Sequence, residues 1–176
     1  MMLKMFSTQL TGLFNRIQEK EDFAMEDGAR LLAQAAIGSG RIYIFATKEM
    51  KAVGYEATES QEPLKNASIW SIDKPLEEIS ETDRFLIVTR NAADEEVIKL
   101  AEFLSEKKIP FVAVSSIQSN DKGLAELADI HIDLKLTKGL LPDEAGNRFG
   151  YPASMAALYV YYGIKFILEE ILEEYE

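Results

Sequence analysis

The chain contains no cysteine. That excludes disulfides, thiolate nucleophiles and cysteine-held zinc, and it suits a reducing compartment. Positive charge is also scarce: 19 Lys and Arg face 30 Asp and Glu, for a formal net charge of −11. A chain this acidic repels phosphate backbones and anionic lipid, so no nucleic acid and no membrane is expected as a partner. Histidine occurs once, at His131. One imidazole without cysteines is a poor start for a zinc site, so no metal and no cofactor is expected. The most apolar stretch, Ala153 to Leu168, precedes a Glu-rich tail and falls short of the roughly 20 residues of a membrane span. The N-terminus is amphipathic, without the apolar core and small-residue cleavage site of a signal peptide. A cytoplasmic protein is expected. There is no internal repeat and nothing resembling a linker. We read residues 1–176 as one domain, long enough to bury a full core.

What is present is a regular alternation. Phe6, Leu10, Leu13, Phe14 and Ile17 share a helical face, the charged run Glu19 to Asp22 interrupts it, and Leu31, Leu32, Ala35 and Ala36 resume it. This predicts two helices, or one broken helix, ending at Gly38-Ser39-Gly40. Buried strands are predicted at Arg41 to Ala46, Ser68 to Ile72, Arg84 to Thr89, Phe111 to Val114 and Ile130 to Leu134. Helices are predicted at Lys48 to Ser60, Ala93 to Lys107 and Asp121 to Ala128, and from Pro152 onward, with the acidic tail fraying. Strands alternating with helices imply an α/β fold: a three-layer, doubly wound, five-stranded parallel sheet. Lys135 to Tyr151 has no period and reads as a long loop.

Three strings carry a family likeness: Ile37-Gly-Ser-Gly-Arg-Ile-Tyr-Ile-Phe-Ala46, Asp83-Arg-Phe-Leu-Ile-Val-Thr89 and Leu127-Ala-Asp-Ile-His-Ile-Asp133. In this order, between a helical N-terminus and a final apolar helix, they resemble the sugar isomerase (SIS) domain. The likeness is greatest to a small bacterial group of SIS-like proteins, some of them labelled phosphoheptose isomerases. The resemblance implies a flavodoxin-type strand order and a small anionic ligand, such as a sugar phosphate. It also implies a homodimer and, in catalytic members, aldose–ketose isomerisation. The loops depart from the family. Its usual Gly-x-Gly-x-Ser turn is here Ala46-Thr47-Lys48-Glu49-Met50, and its Ser-x-Ser-Gly-x-Thr is Thr89-Arg90-Asn91-Ala92-Ala93-Asp94. The function expected first is a phosphosugar-binding isomerase of the phosphoheptose type; the alternative is a non-catalytic module that senses a small molecule or scaffolds a partner.

Open parallel sheets bind ligands beyond the carboxyl ends of their strands. That rule singles out Thr47, Lys48, Thr89, Arg90, Asn91, Ser115 and Ser116, with hydroxyls at three strand ends. Against an anion there, Asp94, Glu95 and Glu96 open the next helix, where Asn91 is the expected cap and Asp94 its capping-box partner. Lys48 with Glu49 could form an acid/base pair or a solvated turn. Arg148 could fork onto a carboxylate or phosphate, or pair with Asp143. Glu56 and Glu59 sit roughly where the resemblance places a catalytic glutamate. His131 reads as a partly buried strand residue. The breadth of the last apolar helix suggests burial against a second subunit or, within one chain, under the N-terminal helix.

Overall fold

The computed structural model describes residues 1–120 and 122–176. The chain runs α1 (Met2–Ile37), β1 (Ile42–Ala46), α2 (Lys51–Glu59), β2 (Ala67–Ile69), β3 (Arg84–Asn91) and α3 (Glu95–Glu106). It continues through β4 (Phe111–Ser116), α4 (Leu124–Leu127), β5 (Ile130–Asp133), β6 (Leu141–Pro142), β7 (Arg148–Phe149) and α5 (Ala153–Glu173). The five main strands form one sheet in the order β2-β1-β3-β4-β5, every pair parallel. This is the flavodoxin-type order, and the expected α/β architecture is observed.

Side-chain alternation along the strands divides the core. Ile42, Ile44, Leu86, Val88, Val112, Val114 and Ile132 face a layer built from α1, α2 and α5. Phe45, Phe85, Ile87, Phe111 and Ala113 face α3 and α4. The sheet is entered through a tight passage. A Cβ on Gly40 would lie 1.9 Å from the Thr82 carbonyl oxygen, so only glycine fits there. Asp83 secures that passage by accepting the Arg41 and Ser80 N–H groups at 2.9 and 2.8 Å.

Several elements differ from the sequence expectation. α1 is one unbroken helix. The charged run does not interrupt it, because Glu21 is buried and pairs with Lys135 at 3.1 Å. β3 and β4 run on to Asn91 and Ser116. α3 begins at Glu95, and its cap is Asp94, not Asn91: the Asp94 carboxylate accepts the Glu96 N–H at 3.0 Å. Asn91 instead accepts the Ala93 N–H, closing the turn before the helix. α4 is reduced to Leu124–Leu127; Asp121, the expected start, lies outside the described residues. The presumed loop before α5 contains the β6–β7 hairpin. The acidic tail does not fray at Glu169 but stays helical to Glu173, where Lys165, only 3 % exposed, pairs with Glu169 one turn on. α5 packs along α1, with Phe14 stacked on Tyr159 at 4.4 Å between ring centroids. Much of its apolar breadth is thus covered within the chain. Among the described residues no helix is long and apolar enough to cross a membrane.

Candidate functional site

The strand order changes direction between β1 and β3, and a cleft opens there at the carboxyl ends of the strands. It has two lobes that share Arg90 and Gln118. One, about 390 Å³, is lined by Glu49, Arg90, Gln118, Thr137 and Tyr151. The other, about 250 Å³, is lined by Thr47, Lys48, Arg90, Asn91, Ala93, Asp94 and Gln118.

Two local features shape it. Lys48 holds φ +50° immediately after β1, a left-handed conformation uncommon for a side-chain-bearing residue. In β3 one extra residue enters the ladder between Val88, opposite Val114, and Asn91, opposite Ser116. Such a bulge re-aims the side chains around it, here Thr89 and Arg90. Thr47 and Thr89 are 3 % and 0 % exposed. Their hydroxyl oxygens lie 3.0 Å apart, and both hydroxyls reach the same oxygen of the Asp94 carboxylate, Thr47 at 3.0 Å and Thr89 in a very close contact. Burial works against ionisation of Asp94, but the bonds from Thr89, the Glu96 N–H and Thr47 outweigh it, so the carboxyl sits below its usual range.

At the mouth, Arg90 forks onto Glu49 with N–O distances of 2.8 and 2.7 Å. That pair lowers the Glu49 carboxyl, chiefly through the Arg90 hydrogen bonds, and raises the guanidinium for the same reason. Across the cleft, Asn91 donates to Gln118 at 3.2 Å, Gln118 to the Tyr151 hydroxyl at 2.6 Å, and Tyr151 to the Leu136 carbonyl at 2.7 Å. The lining is therefore a chain of amides and hydroxyls, two cations and two engaged carboxylates.

Thr47, Lys48, Arg90 and Asn91 line the cleft, and Thr89 is buried against Thr47 and Asp94. Ser115 and Ser116 are buried at the end of β4, and neither lines the cleft. Ser115 meets His131 Nε2 at 2.7 Å, and the Ser116 carbonyl accepts the Ala92 N–H at 3.0 Å. His131 is a half-buried strand residue whose burial lowers its pKa. Arg148 gives its donors to the Gly139 and Leu140 carbonyls at 3.0 and 2.8 Å. The alternative, an Asp143–Arg148 pair, does not form, because Asp143 instead closes its own turn onto Ala145 and Asn147. Glu56 accepts a short hydrogen bond from Tyr162 on α5, and Glu59 is exposed on α2; neither lines the cleft. Gln118, Thr137 and Tyr151 escape sequence reasoning because they reach the cleft from three separate connections. Among the described residues no cluster of His, Asp or Glu could hold a metal ion. A second pocket of about 320 Å³ at the β2 edge is mostly apolar, lined by Phe45, Tyr55, Ile69, Trp70 and Ile72 with Lys51 and Asp73.

Solved structures share this fold. The chain is similar to the Vibrio vulnificus NanR protein complexed with ManNAc-6P (TM-score 0.73, 17% identity), with 99% of this chain covered and 64% of that one. It is also similar to the sugar isomerase domain of the RpiR transcription factor from Sphaerobacter thermophilus (TM-score 0.58, 11% identity, 98% of both chains). At such identities the likeness is one of fold. The chain itself belongs to the family described as Domain of unknown function (DUF2529), whose model matches residues 2–172. It is 48% identical over 174 residues, 99% of each chain, to the uncharacterized protein YwjG of Bacillus subtilis (strain 168).

Proposed function

We propose that this chain is a sugar-phosphate-binding protein of the SIS type that recognises its ligand without isomerising it. The observation that carries the reading is the cleft lining. Asn91, Gln118, Thr137 and Tyr151 offer the amide and hydroxyl partners that sugar hydroxyls require, and Lys48 and Arg90 stand at the mouth for an anion. The Arg90–Glu49 pair is 45% and 35% exposed by side chain. Such a pair is worth about 0–1 kcal/mol, so a dianionic phosphate can displace Glu49 and take the fork. The sugar phosphate complexed with the NanR protein supports the ligand class.

Isomerisation needs a base whose pKa lies near working pH. Asp94 is held the other way, its bonds keeping it ionised despite burial, and Glu49 is lowered for as long as Arg90 holds it. This favours the binding module over a phosphoheptose-type isomerase. The module is read as a single cytoplasmic domain acting as a homodimer. Phe166 and Met155 on α5 and Met2, Leu3 and Met5 at the tip of α1 remain exposed, and apolar surface of this kind is covered on association.

Isothermal calorimetry against pentose, hexose and heptose phosphates, the parent sugars and orthophosphate tests the reading. At least one sugar phosphate should bind far more tightly than its parent sugar, Arg90→Ala should abolish the difference, and the recovered sugar should be unchanged. No binding across the series, or turnover to the isomeric sugar, would contradict it.

A further inference from the structure

We propose that Asp94 is a built-in occupant of the anion cradle in the β1–β3 crevice, and that it sets specificity by keeping a ligand's phosphate out of the crevice and on the rim. The rim half rests on the sugar-phosphate reading above; the occupied cradle stands on geometry alone.

Three donors converge at the switch point, the natural place for an anion in an open parallel sheet. They are the Thr47 hydroxyl from the end of β1, the Thr89 hydroxyl from the bulged end of β3, and the Glu96 N–H in the first turn of α3. All three are satisfied by one carboxylate, Asp94. Each threonine hydroxyl has a single proton. With both directed at Asp94, an entering phosphate would meet only oxygen lone pairs and a like charge. Displacing Asp94 would break three hydrogen bonds at once, two of them from buried threonines. The helix dipole, which elsewhere favours bound phosphate, is likewise already complemented from within. The cations left for a ligand's phosphate, Lys48 and Arg90, stand outside this triad on the same lobe. Depth in the crevice thus selects for neutral hydroxyls, and the rim for charge.

The test is Asp94→Ser, probed with inorganic phosphate by calorimetry. A seryl hydroxyl still caps the Glu96 N–H, so α3 keeps its start while the two threonines are released. The variant should bind orthophosphate at least tenfold more tightly than the wild type, and adding Thr89→Val should remove the gain. Asp94→Asn, which still fills the cradle, should gain nothing. A folded Asp94→Ser with no gain, or a wild type that already binds orthophosphate as tightly, would overturn the proposal. Should Asp94→Ser not fold, wild-type crystals soaked in sulfate decide. A sulfate between Thr47 and Thr89 with Asp94 displaced overturns the proposal, and a crevice still closed by Asp94 upholds it. If the wild type binds no sugar phosphate while Asp94→Ser gains orthophosphate, the occupied cradle stands and only the functional reading and its rim half fall.

Discussion

The α1–α5 layer and the cleft at the strand ends are organised on opposite terms. The helical layer is apolar and closely packed: a Cβ on Gly163 of α5 would lie 2.7 Å from Met25 Sδ of α1. Its stability comes from buried area, which is additive over many side chains. The cleft buries little apolar surface. Its order comes from a few directional bonds, several of them between groups distant in sequence. Damage should therefore be graded by volume lost in the first region and by partners orphaned in the second.

The largest effect is expected in the helical layer. Leu32 on α1 is completely buried, and Leu32→Ala should destabilise the chain by about 2–5 kcal/mol in urea titration. The cleft analogue is Thr89→Val, which keeps the shape and removes one hydroxyl from the Asp94 carboxylate. It should cost about 1–3 kcal/mol and raise the Asp94 pKa toward its ordinary value. A cost as large as that of Leu32→Ala would mean that the cleft is also held by packing.

A smaller effect should follow pH. Burial lowers the His131 pKa in the fold, so protonation favours the unfolded chain. The resulting contribution is fully present above about pH 6.5 and is lost as pH falls through the lower folded value. Urea midpoints should fall between pH 7.5 and the acid side, and His131→Gln should flatten that decline. A further loss should begin below about pH 3.9, where the unfolded chain takes up a proton that Asp94, lowered in the fold, does not yet accept. The smallest change is expected from Tyr161, whose buried hydroxyl has no hydrogen-bond partner among the described residues. Tyr161→Phe should leave stability unchanged or raise it by up to about 1 kcal/mol. A clear loss would reveal a partner for that hydroxyl.

The same contrast explains what could be read from the sequence. The strands follow from apolar runs and the parallel sheet from strand–helix alternation, which are local signals: Arg84 to Thr89 and Phe111 to Val114 lie within the observed β3 and β4. The strand order comes only with the family resemblance. Glu21 misled that reading because its partner, Lys135, is more than a hundred residues away. Thr47, Lys48, Thr89, Arg90 and Asn91 were legible as strand-end residues. The Thr47–Thr89–Asp94 cluster was not, because it depends on a bulge in β3 that no periodicity announces. Asn91 was an equally good cap by composition. Only the register decides that Asp94 caps α3 and also turns back to the strands.

The central claim is that the cleft, and not the apolar pocket at the β2 edge, receives a sugar phosphate by its rim. Amide chemical-shift mapping of the isotope-labelled wild type during titration with ManNAc-6-phosphate and related sugar phosphates tests this most directly. The account predicts saturable shifts centred on Lys48, Arg90, Asn91 and Gln118, with the Asp94 carboxyl resonance still that of an ionised, bonded group. Shifts centred on Tyr55, Ile69 and Ile72, or none with any sugar phosphate, would contradict it.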